Sequence, residues 1–353
     1  MSTTNSAYQN SHQEVIGFVA RNLASGCALW FCTVLSTWGS SPRPVGSLFA
    51  FNARGEKAGS LSGGCVEEDL VDKTLADFAQ RDQRSLARKC EVIVFGATAE
   101  EAGRLRLPCG GLLRVAVERL PAGLAETPDS SPDNPSPQFE AIASALEAQS
   151  PITRKVSIKP YRSRLLAAGE LDTSSSPELA GKAIVESENQ FFHFLGPSYT
   201  LLLIGISEVS RAVARMAQLL DYRVIVCEPR EEVLKEWDVA GTHVIHGMPD
   251  DIIRSQPRLD HTAILALTHD PRIDDMGLME ALTTDAFYIG AMGSARSSAS
   301  RRERLMALDV SPRQLDLLHA PIGLDIGSKT PAEIALAILA EITRERSLRQ
   351  PNA

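Results

Sequence analysis

Two cysteines of this chain stand in glycine-rich turns, Gly59-Ser60-Leu61-Ser62-Gly63-Gly64-Cys65 and Leu107-Pro108-Cys109-Gly110-Gly111, and neither belongs to a Cys-x-x-Cys pair. The first turn runs straight into an apolar-periodic stretch, Val66, Leu70, Val71, Leu75 and Phe78, which reads as a helix with Glu67, Glu68 and Asp69 in its first turn. Cys65 is therefore expected at a helix N-terminus, where unpaired N–H groups and the helix dipole favour a thiolate. The backbone of Ser62, Gly63 and Gly64 just before it is expected to cradle a phosphate or another oxyanion. The three neighbouring acids work against both expectations. In the second turn, Gly110 follows Cys109 where a backbone without side chains approaches a ligand closely, or where a tight turn joins two strands.

The elements around these turns must form a large protein. A chain of 353 residues, 44% hydrophobic and 23% charged, has the length and composition of a globular protein with two cores. With 44 acids against 36 bases, a net charge of −8 and no long basic run, it lacks the electrostatic footprint of a nucleic-acid binder. Met1 to Asn10 carry no apolar signal core, and no apolar run approaches the length of a membrane span, so a cytoplasmic protein is expected. The six cysteines show neither zinc-ribbon spacing nor the density of a disulfide scaffold and are expected to be reduced. Cys27, Cys32, Cys90 and Cys227 lie in or beside apolar stretches and read as core filler.

The pattern along the chain is that of an α/β protein in two parts. Residues 11–120 read as an α+β domain: a helix at Ser11 to Ala24, strands at Cys27 to Leu35, Ser47 to Phe51, Val92 to Phe95 and Leu112 to Glu118, and the helix after Cys65. Residues 121–137, rich in proline, serine and aspartate, read as a linker. Residues 138–198 carry a helix, Phe139 to Gln149, and strand-like runs around Val156, Leu165 and Ala183, with no clear domain membership. From 199 to 346 strands alternate with helices: Thr200 to Ile204, Arg223 to Cys227, His243 to His246, Thr262 to Ala266 and Ala286 to Ile289. That alternation is the signature of a doubly wound parallel sheet. Thr330, Pro331 and Glu333 form a capping box that opens the last helix.

A dinucleotide fingerprint, G-x-G-x-x-G, maps onto Gly205-Ile206-Ser207-Glu208-Val209-Ser210, where only Gly205 remains of the three glycines. Ser207 and Ser210 place side chains where a pyrophosphate needs bare backbone, and Glu208 brings a negative charge to the helix start. The residues thus argue against NAD(P). Glu228, at the end of the second strand, reads as a ribose acceptor or as a solvated acid beside Arg230. His269 and Asp270 follow the fourth strand, at the edge where such folds bind ligands. Gly290 to Ser294, opening the basic helix Arg296 to Arg304, is a further possible anion site. A metal site drawn from His246, His269 and Asp270 ranks behind a structural role for these side chains.

Six ordered blocks carry a family resemblance: STWGSSPRPVGS (36–47), GSLSGGCVEEDL (59–70), LPCGGLLRVAVE (107–118), LTHDPRIDD (267–275), AFYIGAMGSARSSASRRERL (286–305) and HAPIGLDIGSKTPAEIALAILAEI (319–342). The chain resembles the XdhC/CoxI family of xanthine dehydrogenase accessory proteins. The resemblance implies an N-terminal XdhC/CoxI domain and a C-terminal Rossmann-like domain. It implies a chaperone without turnover that binds the molybdenum cofactor (molybdopterin) as cargo, protects it during sulfuration by a cysteine desulfurase, and delivers it to a molybdenum hydroxylase apo-enzyme. A homodimer is expected. The family's cofactor-binding cysteine carries over to Cys65, as a ligand to the cargo's molybdenum, with Ser62, Gly63 and Gly64 beside it. Cys109 with Gly110 is a second contact, and Arg43 offers a guanidinium fork to phosphate or pterin. Family members commonly have glycines and a histidine in the turn after Gly205, so Ser207, Glu208 and Ser210 depart from the pattern. Gly205, His269 and Asp270 are further candidate cofactor-binding residues. Two alternatives stay open: an NAD(P)-dependent oxidoreductase using the turn at Gly205 with His269 as proton donor, and a redox protein pairing Cys65 with Cys109.

Overall fold

Runs of valine, phenylalanine, leucine and threonine in the first half of the chain are buried on successive residues, the pattern of strands covered on both faces. The computed structural model describes residues 11–38, 43–80, 87–96, 112–120, 134–167, 170, 183–197, 199–256, 259–268 and 270–349, and the chain divides into two compact units between Gly196 and Pro197.

The first unit opens with α1 (Ser11–Ala24), β1 (Leu29–Thr37), β2 (Leu48–Asn52), β3 (Lys57–Gly59), α2 (Cys65–Ala79), β4 (Lys89–Phe95) and β5 (Leu113–Leu120). Its strands form an antiparallel sheet in the order β3-β2-β1-β5-β4. One face, with Trp30, Cys32 and Val115, is covered by Val66, Leu70 and Phe78 of α2. Strand side chains alternate, so Phe31, Ala116 and Glu118 point to the other face. There they meet α1, α3 (Ser136–Glu147) and a second antiparallel sheet of β6 (Ile152–Ser157), β7 (Arg162–Leu165), β8 (Ile184–Ser187) and β9 (Gln190–Leu195), ordered β7-β6-β9-β8. The middle region thus packs with the N-terminal elements in one unit. Of the stretch read as a linker, 121–133 lie outside the described residues, and Ser136 and Pro137 are already the first turn of α3.

A buried ion pair joins the two sheets. Both terminal nitrogens of Arg154 donate to Glu118 at 2.6 Å, and the Tyr161 hydroxyl adds a third hydrogen bond to the same carboxylate at 2.6 Å. The bidentate geometry and the third donor compensate two charges held out of water.

The second unit alternates β10 (Tyr199–Ile204), α4 (Glu208–Leu219), β11 (Tyr222–Glu228), α5 (Glu231–Leu234), β12 (His243–His246), α6 (Pro249–Arg254), β13 (Thr262–Ala266), α7 (Pro271–Ala281), β14 (Tyr288–Ala291), α8 (Ala295–Ala307), α9 (Pro312–Leu315), β15 (Leu318–His319) and α10 (Pro331–Arg349). All its strand pairs are parallel, in the order β12-β11-β10-β13-β14-β15. Counted from β10 this is 3-2-1-4-5-6, the order of dinucleotide-binding doubly wound sheets. Leu201 and Leu203 pack under α4 and α10, while Leu202 and Ile204 pack under α6 and α7. The capping box that opens α10 forms as its residues require: Glu333 accepts the Thr330 N–H at 2.9 Å, and Thr330 Oγ1 accepts the Glu333 N–H at 3.3 Å.

Cys32, Cys90 and Cys227 are buried and unpaired. Burial holds the thiols of Cys32 and Cys90 well above the ordinary cysteine range and pushes that of Cys227 up to about 12. All three stay protonated at neutral pH and are unsuited to serve as soft metal ligands.

Candidate functional site

The turn before α2 is built around a buried glutamate. Glu67, in the first turn of the helix and 4% exposed, reaches back under the loop. One of its oxygens accepts the N–H of Leu61 at 2.6 Å, that of Ser62 at 2.9 Å, that of Gly63 at 3.2 Å and the Ser60 hydroxyl at 2.6 Å. The other accepts the Gly64 N–H at 3.0 Å and the Ser62 hydroxyl at 2.6 Å. Positive φ at Gly63 (97°) and Gly64 (140°) lets these N–H groups converge, a conformation that favours glycine. Burial alone would push the Glu67 carboxyl up, but the hydrogen bonds from Ser60 and Ser62 outweigh it and hold the group down at about 2.

This corrects the expectation that Ser62, Gly63 and Gly64 cradle a phosphate. The turn is a nest for an anion, but the chain supplies the anion itself. Its consequence is mechanical: six donors locked onto one carboxylate fix the entry of α2, and Cys65 is the helix's first residue. The Cys65 side chain lies outside the described part of the structure, as do Cys109 and Gly110. Arg43 is exposed in the bend that leads into β2.

In the second unit the candidate residues gather at the carboxyl edge of the sheet. Gly205 follows β10 directly with φ of 91°, and a Cβ there would overlap the Thr268 side chain. Thr268 in turn accepts the Asp270 N–H at 2.8 Å and donates its hydroxyl to Asp274 at 2.8 Å. Gly205 and Asp270 are thus brought together through Thr268, next to the point where the strand order reverses. His269 lies outside the described residues. Asp270 caps α7, accepting the Arg272 N–H at 3.0 Å and pairing with the Arg272 guanidinium, which holds its carboxyl below the ordinary aspartate range.

The turn at Gly205 has also spent donors internally. Ser207 caps α4 and accepts the Ser210 N–H at 3.1 Å, while Ser210 Oγ accepts the Ser207 N–H at 2.6 Å. Glu208 points outward to Arg211 at 2.8 Å instead of lying across the helix start. Glu228 is fully buried, which corrects its reading as a solvated acid. It accepts the Ile206 N–H at 3.1 Å and binds Arg230 through Nε at 2.7 Å and a terminal nitrogen at 2.8 Å. Burial pushes its carboxyl up, and the hydrogen bonds from Arg230 reverse that and leave it lowered.

Three features escape sequence reasoning. The carboxylate role of Glu67 has a signal, since an acid three residues after a helix cap is half of a capping box. The Glu228–Arg230 pair is visible only as two charges two residues apart. The network Thr268–Asp274–Arg301, closed by Arg301 donating to Asp274 at 3.1 Å and to the Met292 carbonyl at 3.0 Å, has none, because its members come from three separate elements. Among the described residues no group of three His, Cys, Asp or Glu side chains stands close enough to hold a metal. His246 instead contacts the Pro229 carbonyl at 3.0 Å.

Comparison with known proteins covers both units. Residues 22–88 match the XdhC and CoxI family, and residues 201–342 match the XdhC Rossmann domain. A protein of Bacillus subtilis named as a probable xanthine dehydrogenase component is 23% identical over 328 residues, 89% of this chain and 92% of that protein. The molybdenum cofactor insertion chaperone PaoD of Escherichia coli is 23% identical over 338 residues, 96% of this chain and 89% of its own length. A solved structure of a xanthine dehydrogenase from Bacillus halodurans covers 95% of this chain and 96% of its own, with a TM-score of 0.65 at 20% identity, a likeness of fold.

Proposed function

Since this chain belongs to the XdhC/CoxI family, we propose that it binds the molybdenum cofactor and delivers it to a molybdenum hydroxylase of the xanthine dehydrogenase type. The observation that carries this reading is the likeness to a cofactor insertion chaperone over nearly the whole of both chains. In this reading the protein works in the cytoplasm as a homodimer and has no turnover of its own. It shields the cofactor while a cysteine desulfurase places the terminal sulfido ligand.

The cargo is a pterin with an oxidisable dithiolene and a terminal phosphate, so a carrier needs a soft ligand on a rigid mount and contacts for the ring. Cys65 is assigned the soft ligand. The saturated Glu67 turn supports that role by fixing the helix start, where the dipole favours a thiolate. Three of the other cysteines are buried and held protonated, which leaves few competitors. Cys109 is a second contact and Arg43 a phosphate contact in the same reading. Gly205 and Asp270 are assigned no cargo contact. The NAD(P) alternative is set aside because Glu228, the acid placed to hold a ribose, is tied to Arg230 and the Ile206 N–H.

The test is retention of molybdenum cofactor, released anaerobically from a donor enzyme, by the wild type and by Cys65→Ala, with molybdenum and pterin counted after gel filtration. Stoichiometric retention by the wild type and loss in the variant is expected. No retention by the wild type, together with saturable NADH binding, overturns the proposal.

A further inference from the structure

Behind α2, on the outer face of the first sheet, lies a cleft of about 240 Å³ that no role described so far uses. Its floor is apolar and largely buried: Trp30 of β1, Phe95 of β4 and Val117 of β5, with Leu70 and Phe78 from the helix. Trp30 stacks on Phe51 and meets Phe78 edge to face, each with ring centroids 5.1 Å apart, so the floor is held rigid by aromatic packing. Its rim carries both charges: Asp69, Asp77 and Glu91 among the acids, and Lys73, Lys89 and Arg119 among the bases.

The helix register ties this cleft to the proposed cargo site. Asp69, Lys73 and Asp77 recur at intervals of four along α2, and position 65 precedes Asp69 by the same interval. Positions four apart lie on one face of a helix, about 6 Å from each other along its axis. The cleft is therefore the continuation, along one helix face, of the position that opens the helix.

We propose that this cleft is the subsite for the pterin ring system of the cargo, an inference that rests on the function proposed above. The chemistry of the rim suits the ring. A 2-amino-4-oxopteridine presents two parallel N–H donors that a carboxylate accepts in a fork, and a ring carbonyl that an ammonium or guanidinium satisfies. Its flat, thin body suits a narrow cleft with a rigid apolar floor. Two of the rim's cations, Lys73 and Lys89, are exposed and paired, and Arg119 donates to the Ala87 carbonyl at 2.7 and 3.1 Å. Lys73 meets Asp69 at 2.7 Å with the lysine 62% exposed, and Lys89 pairs with Glu91 at the surface. The Lys89–Glu91 pair, exposed at both ends, contributes only about 0–1 kcal/mol, so a ligand displaces it at little cost, while Asp69 is only 11% exposed and stays as a fixed acceptor on the rim. The size is selective as well. A cavity of about 240 Å³ falls below the roughly 300–1,000 Å³ of pockets that enclose drug-sized ligands, so the cleft takes the ring and leaves the side chain outside.

The test uses pterin itself, with neither metal nor phosphate, titrated against the full chain and followed by polarisation of its own fluorescence. Retention of whole cofactor is measured in parallel. Thr74→Trp fills the cleft from the helix and is expected to abolish pterin binding. Glu91→Lys, on the exposed rim, is expected to weaken it about tenfold and keeps the test valid if the tryptophan variant fails to fold. Lys159→Glu, on the distant β6–β7 turn, is expected to change it less than about twofold. Loss of both pterin and whole cofactor in the two cleft variants supports the subsite. Whole cofactor retained equally by wild type and cleft variants overturns the subsite and leaves the carrier function standing. Pterin binding that the cleft variants abolish, in a wild type that does not retain whole cofactor, supports the cleft and overturns the carrier function. No pterin binding by the wild type overturns the subsite.

Discussion

Two turns of this chain lead from glycine into a helix, at Gly59–Gly64 before α2 and at Gly205–Ser207 before α4, and in each a buried glutamate takes backbone N–H groups of the turn. They differ in what balances the carboxylate. The partners of Glu67 among the described residues are neutral N–H and hydroxyl groups, six in all. Glu228 takes one N–H from the turn, the backbone N–H of Arg230 at 3.0 Å, and two guanidinium nitrogens of Arg230, whose side chain is 41% exposed. The turn richer in glycine is thus the more completely filled. Glycine lets N–H groups converge, and the nearest anion then occupies them, whether it belongs to a ligand or to the chain.

The sharpest way to break this comparison is to remove the internal anion. Glu67→Ala leaves six donors in a buried turn without their acceptor, and hydrogen bonds to a charged group contribute about 1.5–3 kcal/mol each before water re-enters. A loss of about 4 kcal/mol in urea denaturation is expected. The same carboxylate should be visible in the pH dependence. It titrates at about 2 in the folded chain against an ordinary 4.5, so the unfolded chain binds its proton first as the pH falls. Its contribution, about 3 kcal/mol, is complete above pH 4.5 and disappears as the pH drops towards 2. The wild type is expected to lose stability through that window relative to Glu67→Ala. Parallel curves for the two proteins would show that Glu67 does not hold the turn.

How much of this is legible in the sequence follows from the same physics. The parallel unit is readable because its strands are covered on both faces and appear as continuous apolar runs; Leu201 to Ile204 alternate sides in the structure but are all apolar in the sequence. In the first unit, β3 has three residues, too few for a period to show. The strand β9, Gln190–Leu195, runs almost directly into Tyr199–Ile204 and is hidden by it. The residues of the candidate site can be found by type, but their partners cannot. Glu67 reads as a charge opposing an anion, whereas burial and six donors turn it into the anion. The cleft behind α2 is illegible, because Trp30, Phe95 and Val117 come from three strands and look like ordinary core.

A second test sharpens the structural half of the comparison. Gly205→Ala places a Cβ into the Thr268 side chain at a backbone angle of φ +91°. The left-handed conformation costs roughly 1–2 kcal/mol for a residue with a side chain, and overpacking adds about 1–3 kcal/mol. Thr268 cannot give way freely, since its hydroxyl and N–H both hold Asp274. A loss of about 3 kcal/mol is expected in thermal or urea unfolding, and a variant as stable as wild type would mean that this turn relaxes.

The smallest effect is expected where the carboxylate is shared. Glu228→Gln keeps one acceptor and turns the other position into a donor that faces either the Ile206 N–H or Arg230. Because the Arg230 side chain is 41% exposed, its guanidinium turns to water and satisfies itself there, and the amide rotates to offer its oxygen to Ile206. What is lost is one charge-assisted pair at the edge of solvent and the acceptor of the Arg230 backbone N–H, together about 2 kcal/mol. The contrast with Glu67→Ala decides between two ways of closing a turn. If Glu228→Gln costs as much, Arg230 is not exchangeable, and the two turns are closed in the same way. If it costs little, the turn at Gly205 differs from the turn at Gly64 in holding an anion that two backbone N–H groups and an exposed cation share, where Glu67 is held by six neutral donors.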